Sequence, residues 1–198
     1  MFYFENIKYD DPIMDKIYKF RCKILCGELK YFDIKNYPQK RETDIYDRYA
    51  KHYVAYNQNQ ELIAYTRFIF HSPYGYPMTE HMEIDEKYKN LDKNKISEIS
   101  RVFIKKEYRG LKNTKIILKT FMNDFIYPEA KRNGIEYFYS ALQKNFLLLL
   151  LKIKFPFKII GKIQEYGGKR FPTIMNIKDY EKQNPEVLDK WRNTHESH

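Results

Sequence analysis

Ile96-Ser97-Glu98-Ile99-Ser100-Arg101-Val102-Phe103-Ile104 places a carboxylate, a hydroxyl and a guanidinium within an apolar run. The spacing of the apolar residues favours a buried interior β-strand over a helix. Because side chains alternate along a strand, we expect Glu98 and Ser100 on one face and Arg101 on the other. Burying a charge is costly unless it is paired or used. The stretch therefore predicts a functional site on an interior strand.

Length and composition indicate a folded protein with a sizeable core. The chain has 198 residues, of which 43% are hydrophobic and 17% aromatic, and this composition argues against disorder. Its formal net charge of +10 favours an acidic partner, such as nucleic acid, an anionic membrane or an acidic carrier protein. A lysine-rich proteome of low GC content explains the same charge equally well.

Cysteine content and hydropathy restrict the class of protein further. The two cysteines, Cys22 and Cys26, form neither a disulfide framework nor a zinc-ligand set, so we expect no metal. The longest apolar run, residues 146–151, is far shorter than the roughly 20 residues that span a bilayer. The first residues lack a basic region followed by an apolar one, so we expect no signal peptide and a cytoplasmic location.

The order of predicted elements indicates a mixed α/β (α+β) fold. Asp11 and Pro12 predict a first helix through about Cys26, followed by a long polar loop at 27–49 that we expect to be functional. The remaining predicted elements are a hairpin (52–56 and 62–70), a helix from Asn113 or Thr114 to Arg132 with a kink or break at Pro128, a strand (135–141), a short apolar helix (145–153) and a closing strand pair (157–161 and 171–177). We expect a single domain over 1–198, with 178–198 as a polar C-terminal helix or tail.

Several charged residues outside the 96–104 strand are candidates for chemistry. Arg67 interrupts an apolar strand, and a charge there requires a carboxylate partner. Glu98 and the loop acids can supply it. The other candidates are Arg21 at the end of the first helix, Glu42, Asp44 and Asp47 in the loop, and His52 at the start of the hairpin. Each also has an ordinary interpretation: a surface arginine, a solvated acidic turn or a core histidine.

Together these residues resemble the signature of the autoinducer-synthase branch of the GNAT N-acyltransferases. The matching elements are Arg21, Glu42-Thr43-Asp44-Ile45-Tyr46-Asp47, Arg67 and Glu98-Ile99-Ser100-Arg101. This branch includes acyl-homoserine-lactone synthases and N-acyl amino acid synthases, and the run at 160–172 and His52 resemble the second group. The resemblance covers roughly residues 18 to 177, and it implies a GNAT-like mixed sheet flanked by helices.

The resemblance implies transfer of a fatty acyl group from an acyl carrier protein thioester to the amine of an amino acid. Glu98 is the candidate general base, since a strand-held carboxylate near apolar walls can have a raised pKa. An ion pair of Glu98 with Arg67 or Arg101 is the alternative. Backbone N–H groups near a bulge in this strand are candidates for holding the oxyanion. The catalytic candidates are thus Glu98, Ser100 and Arg101, and the substrate-binding candidates are Arg21, Glu42, Asp44, Asp47, His52 and Arg67.

We expect no tightly bound cofactor. We expect the donor substrate to be an acylated acyl carrier protein or acyl-coenzyme A. The donor-binding candidates are Lys106, Arg109, Gly110 and Lys112, ahead of the predicted helix. A single glycine in this loop suits the one phosphate of a carrier better than the pyrophosphate of coenzyme A, and the surrounding charge suits an acidic carrier. The candidate acyl pocket, for which ordinary core is the alternative, consists of Phe103, Phe121, Phe125, Phe138 and Phe146.

Three other functions compete with this interpretation. An acyl-homoserine-lactone synthase would use S-adenosylmethionine, but such enzymes usually carry a tryptophan in the first long loop, where this chain has Tyr31 and Phe32. That difference favours an amino-acid acceptor. A family member that binds an acyl carrier without turnover is a second alternative. A nucleic-acid-binding module is disfavoured, because the basic residues are interspersed with acids rather than gathered into a stripe.

Overall fold

The computed structural model describes residues 1–195, which form two compact units. The first unit comprises Met1–Tyr74 and Ile99–Phe125, and the second comprises Gly75–Glu98 and the chain from Ile126 onward. Strand β4 (Ile96–Ile104) passes from the second unit into the first. The 96–104 stretch is therefore a strand, as its sequence predicts.

The first unit is built on a helix and an antiparallel sheet. Helix α1 (Ile13–Cys22) continues into a π-helical turn (Lys23–Glu28), which confirms the predicted first helix. Asp11 Oδ1 accepts a hydrogen bond from the Ile13 N–H at 2.9 Å and so caps the helix start. The apolar face of α1 is buried in a core cluster that also contains Val54.

The sheet of the first unit has the order β1-β2-β3-β4. Strands β2 (Ala50–Tyr56) and β3 (Leu62–Phe70) form the predicted hairpin. Sequence analysis did not find β1 (Tyr3–Ile7), which pairs antiparallel with β2. The register places His52 opposite Arg67. These two side chains therefore project from the same face of the sheet.

The second unit continues from β4 with the strand order β4-β5-β8-β6, and β7 pairs with β8. The β4–β5 pairing is parallel and β5–β8 is antiparallel, so the sheet is mixed. The strands are β5 (Tyr137–Leu142), β6 (Lys158–Ile159), β7 (Gln164–Glu165) and β8 (Lys169–Asn176). The predicted strand at 135–141 and the closing strand pair are both present.

Helices flank the strands. They are α2 (Pro77–His81), α3 (Glu86–Lys89), α4 (Leu111–Thr120), α5 (Tyr127–Arg132), α6 (Lys144–Lys152), α7 (Ile177–Gln183) and α8 (Pro185–His195). A mixed sheet flanked by helices confirms the predicted fold class. Among residues 1–195, no helix combines the length and hydropathy needed to cross a membrane.

Two helix boundaries differ from the sequence predictions. The helix after β4 begins at Leu111 rather than at 113 or 114, and a π-helical turn (Phe121–Ile126) interrupts it. Pro128 does not break the chain's helical path, because it lies in the first turn of α5, where a missing N–H is tolerated.

The C-terminal segment forms two helices rather than one. The Asn184 side chain lies at their junction and donates to the carbonyls of Lys154 and Tyr180, both at 2.9 Å. Tyr180 and Val187 are buried, so the segment is part of the core and not a solvated tail. Residues 196–198 of the predicted tail lie outside the described residues, and the single-domain organisation stays a prediction.

Gly161 marks a close approach of two backbone segments in the second unit. A Cβ atom at this position would lie 2.7 Å from the carbonyl oxygen of Glu83 and 2.9 Å from Cγ of Pro172. Both distances are shorter than van der Waals contact, and the nearer neighbour is backbone. Only glycine fits here without displacement of the chain.

We expect Gly161→Ala to lower the free energy of unfolding by about 1–3 kcal/mol, because the added methyl group overpacks this contact. Gly27→Ala is the matched control, since a Cβ there meets nothing within 4 Å. Urea denaturation of both variants measures the difference. Equal stability of the two variants would contradict the close approach.

Candidate functional site

A buried ion network in the first unit brings together three arginines and three carboxylates. We call it the ion network; its members are Arg21 on α1, Glu42, Asp44 and Asp47 on the loop before β2, Arg67 on β3 and Arg101 on β4. Its formal charges cancel. The fold thus brings together six residues from a segment of 81 residues, Arg21 to Arg101.

Arg21 joins helix α1 to the loop. Its Nε donates to Glu42 Oε2 and its Nη1 to Asp47 Oδ1, both at 2.6 Å. The guanidinium is completely buried, and its carbon lies 5.5 Å from the ring centre of Tyr18 and 5.7 Å from that of Tyr65. Cation–π attraction therefore supplements the two ion pairs.

Arg67 joins the loop to the sheet. Its two terminal nitrogens bind the two oxygens of Asp44 at 2.5 and 2.7 Å, and Nη1 also donates to Asp47 Oδ1 at 2.7 Å. Its Nε donates to Ser100 Oγ at 2.9 Å. The loop acids thus provide the carboxylates that a buried arginine in a strand requires.

Arg101 approaches the ion network from a kink in β4. Its φ angle of 53° lies in the left-handed region, which interrupts the alternation of side chains along the strand. Its Nη2 donates to Glu42 Oε1 at 2.8 Å and to Asp44 Oδ2 at 3.3 Å. The expectation that Arg101 faces away from Ser100 was wrong, because both contact the same network.

The ion network has one accessible edge. The side chain of Asp44 is 23% exposed and that of Arg101 is 14% exposed. The side chains of Arg21, Glu42, Asp47 and Arg67 are at most 2% exposed. A ligand can therefore reach the network only at the Asp44–Arg101 pair.

The arginines keep the buried carboxylates ionised. Burial opposes ionisation of Glu42, but the charges of Arg21 and Arg101 outweigh it and hold the pKa of this carboxyl well below its usual range. Burial likewise opposes ionisation of Asp47, and the charges of Arg21 and Arg67 lower its pKa. Both carboxylates therefore remain charged near neutral pH.

His52 supports the loop rather than opening to solvent. Its Nδ1 lies 2.8 Å from the Tyr65 hydroxyl and its Nε2 lies 2.8 Å from the Asp47 carbonyl oxygen. Because a carbonyl only accepts, Nε2 carries the hydrogen and Nδ1 accepts from Tyr65. Burial lowers the pKa of His52 to about 4 and keeps the ring neutral. Its contact with a substrate stays a prediction.

Glu98 belongs to the second unit. Its side chain is buried, and Oε2 accepts a hydrogen bond from the Met78 N–H at 2.8 Å. Met78 lies in α2, directly after Pro77. The structure thus fixes this carboxylate by a backbone donor, and its role as general base stays a prediction.

The donor-binding candidates lie between β4 and α4. Gly110 stands directly before α4 and accepts from the Thr114 N–H at 2.9 Å. Arg109 donates to the Ile104 carbonyl at 2.8 Å and pairs with Glu28, so its guanidinium is already engaged. The side chains of Lys106 and Lys112 are exposed. Their binding of a donor stays a prediction.

The first three acyl-pocket candidates do not share one pocket. Phe103 is buried in the core cluster that contains Val54. Phe125 packs on Tyr53, with ring centres 5.3 Å apart, and Tyr53 projects from the face of β2 opposite Val54. Phe103 and Phe125 therefore lie on opposite faces of the sheet.

Phe121 lies on the same face as Phe125, because it packs edge-to-face on Phe4, whose strand partner is Ala55. In the second unit, Phe138 is completely buried and Phe146 is half-buried. An acyl-binding role for any of these rings stays a prediction.

Sequence reasoning did not single out Tyr18, Tyr65 or Met78. Tyr65 precedes Arg67 by two residues on a strand, so their shared face was a usable signal. Tyr18 similarly precedes Arg21 by three residues on a helix. Nothing in the sequence predicted the contact of Met78 with Glu98. Within residues 1–195, no group of three or more metal-ligating side chains is placed to hold a metal ion.

Comparison with known protein families gives a match over half of the chain. A family model described as an acetyltransferase (GNAT) domain matches residues 20–119, about half of the chain. The fold and the matched segment define an acyltransferase. The chain belongs to the acetyltransferase (GNAT) family, and no curated protein matches it.

Solved structures share the fold over nearly the whole chain. The coenzyme A-dependent acyl-homoserine lactone synthase BjaI is 16% identical with a TM-score of 0.71, and the match covers 94% of this chain and 90% of that one. The synthase TofI is similar, at 16% identity, a TM-score of 0.63 and 96% of each chain. FeeM, an N-acyl amino acid synthase from uncultured soil microbes, is 10% identical with a TM-score of 0.64, over 92% of this chain and 94% of that one. These matches confirm the GNAT-like fold and its likeness to the autoinducer-synthase branch.

We expect Arg67→Met to lower the free energy of unfolding by about 3–5 kcal/mol, because three carboxylates then face only two arginines and one buried negative charge is left uncompensated. Lys19→Met is the matched control: it breaks an exposed pair with Asp15, and a pair in water adds little to stability. Denaturant unfolding compares the two. A loss for Arg67→Met no larger than for the control would contradict the ion network.

We expect the free energy of unfolding to fall as the pH decreases from about 7 to about 5. The unfolded chain protonates His52 below its ordinary pKa of 6.5, whereas in the folded chain this pKa is about 4. The unfolded state therefore binds a proton that the folded state does not. The resulting loss in the free energy of unfolding reaches about 3 kcal/mol once the pH is below both pKa values. Denaturation over this pH range should show a smaller slope for His52→Gln. An identical slope would contradict the neutral, buried ring.

Proposed function

We propose that the protein is an N-acyltransferase that moves a fatty acyl group from an acyl carrier protein thioester to the amine of an amino acid. The observation that carries this proposal is the accessible edge of the ion network. Asp44 and Arg101 present a negative and a positive group side by side, with Nη2 of Arg101 3.3 Å from Asp44 Oδ2. A zwitterionic amino acid has the complementary pair of charges.

The recognition of the acceptor follows from these charges. The carboxylate of the amino acid binds Nη1 of Arg101, since Nε and Nη2 already donate to Glu42 and Asp44. The ammonium group binds Asp44. Buried members of the ion network hold both protein groups in place: Arg67 donates to Asp44, and Glu42 accepts from Arg101. Little side-chain ordering is needed when the acceptor binds, which favours affinity.

The bound ammonium first gives one proton to Glu98, three residues before the kink at Arg101, and the free amine then attacks the thioester carbonyl. A C–N bond forms, the C–S bond breaks, and the donor leaves as a thiol after taking up the second proton from the nitrogen. Backbone N–H groups at the kink stabilise the oxyanion of the tetrahedral intermediate. The left-handed φ of Arg101 supports this assignment, because a bulge releases strand N–H groups from the regular ladder.

An acyl-homoserine-lactone synthase is the second candidate, and the likeness to BjaI and TofI supports it. The structure of BjaI contains S-adenosylmethionine and isopentyl-coenzyme A. The first long loop of the present chain carries Tyr31 and Phe32, which pack partly buried against the core cluster, where those synthases usually have tryptophan. This difference favours the amino acid. Release of methylthioadenosine separates the two reactions.

We expect cells that express the protein to accumulate an N-acylated amino acid, and cells that express Glu98→Gln to contain roughly 10²-fold less, because the amide cannot take up the proton. Glu136→Gln is the matched control, since this side chain is partly exposed and pairs with Lys95 on the surface. Mass spectrometry of lipid extracts identifies both the acceptor and the acyl chain.

An acyl-homoserine lactone in these extracts would replace the proposed function by the second candidate. A product equally abundant with Glu98→Gln would remove Glu98 from the role of base. Absence of any product, with folded protein and with carrier and coenzyme A donors both tested in vitro, would leave a family member that binds without turnover.

A further inference from the structure

A groove on the first unit lies apart from the ion network. Two adjacent cavities of about 390 and 310 Å³ share the lining residues Phe20, Lys23 and Lys105. The groove runs between α1 and the end of β4. None of the six members of the ion network lines either cavity.

Five lysines surround this groove, and we call it the lysine groove. They are Lys16 and Lys19 on α1, Lys23 at the start of the π-helical turn that continues α1, and Lys105 and Lys106 after β4. The three helix lysines recur at spacings of three and four residues, so they project from one side of α1. Their distribution over two helical turns spans roughly 10 Å, which is more than one phosphate group occupies.

The acidic residues at the groove are largely engaged elsewhere. Glu28 pairs with Arg109, and Glu61 accepts from the Asn57 side chain at 2.7 Å. Glu107 is the third acid of the lining. Asp15 pairs with Lys19, and Glu61 and Glu107 keep their charges, so the five lysines leave the lysine groove with a smaller but still positive net charge.

The floor of the groove is apolar. Phe20, Ile24 and Leu62 are 8%, 3% and 3% exposed and belong to the core cluster. Lysine side chains cover such a surface with their aliphatic stems while the ammonium groups remain in water. An apolar centre with a charged rim is the usual arrangement of a protein-binding surface.

We propose that the lysine groove is the docking surface for the acidic acyl carrier protein. The proposal rests on the proposed function, since it names the surface that receives the donor. An acidic helix whose carboxylates are spaced by one turn complements the three α1 lysines, and its apolar residues cover Phe20 and Leu62. This location overlaps only in part with the sequence expectation, which named Lys106, Arg109, Gly110 and Lys112.

The structure explains the difference. Of the donor-binding residues expected from the sequence, Lys106 lies at the lysine groove, whereas Arg109 is held by Glu28 and by the Ile104 carbonyl. The α1 lysines are distant from residues 105–112 in sequence, and the fold brings the two sets together. The positive surface for a partner is thus wider than the loop alone.

The test is the double variant Lys16→Glu/Lys23→Glu, compared with Lys178→Glu/Lys182→Glu, which makes the same charge change on the exposed side of α7. We expect the apparent KM for a carrier-bound acyl thioester to rise about tenfold or more in the first variant, because charge steering is reversed. The KM for the same acyl chain on a short pantetheine thioester should not change, nor should either KM in the control. Equal changes for both donors would overturn the proposal.

Direct binding separates this proposal from the proposed function. Fluorescence anisotropy of labelled holo-acyl carrier protein measures its binding to the unchanged protein and to both double variants, and this measurement requires no turnover. Loss of binding in Lys16→Glu/Lys23→Glu alone supports the docking surface, even if no acyl transfer is found. Equal binding by all three proteins would overturn it. A third outcome would also overturn the proposal: free coenzyme A inhibits the Lys16→Glu/Lys23→Glu variant less strongly, but the carrier protein still binds it. The groove would then be a nucleotide site.

Discussion

The pairing of three buried arginines with three buried carboxylates is the constraint on which the site depends. Ions without water are costly, and their attraction offsets that cost only when nearly every polar atom finds a partner. Arg67 meets this condition with four hydrogen bonds to Asp44, Asp47 and Ser100. The loop before β2 has little regular structure, and these bonds tie it to the sheet. Loss of one member leaves the network with a net charge that is largely buried, so the network stabilises the site as a unit.

The sheet determines how this network meets solvent. The β2–β3 register places His52 opposite Arg67, and His52 in turn holds the Asp47 carbonyl. The left-handed residue in β4 turns Arg101 toward the same face. Two of six charged side chains therefore remain accessible, one of each sign, and the interior charges hold them in position. A pre-formed pair of this kind suits a zwitterionic acceptor better than a neutral one.

Sequence predicted the parts of this arrangement that depend on local pattern. The hairpin follows from two apolar runs on either side of a polar turn, and α1 follows from its cap and apolar stripe. The need of Arg67 for a carboxylate follows from burial alone. The pairing of particular carboxylates with particular arginines depends on tertiary packing, as do the kink at Arg101 and the meeting of the α1 lysines with Lys105. Strand β1 was missed because a five-residue edge segment containing Glu5 and Asn6 carries a weak pattern.

Hydrogen exchange of the loop amides measures most directly whether the ion network holds the site. The N–H of Asp44 donates to Asp47 Oδ2 at 2.9 Å, and that of Tyr46 donates to Asp44 Oδ1 at 3.0 Å. We expect both amides to exchange nearly as slowly as those of the β2–β3 hairpin, because the carboxylates that receive them are fixed by Arg67. Exchange as fast as that of an exposed loop would show that the carboxylates are mobile, and would contradict a pre-formed acceptor site.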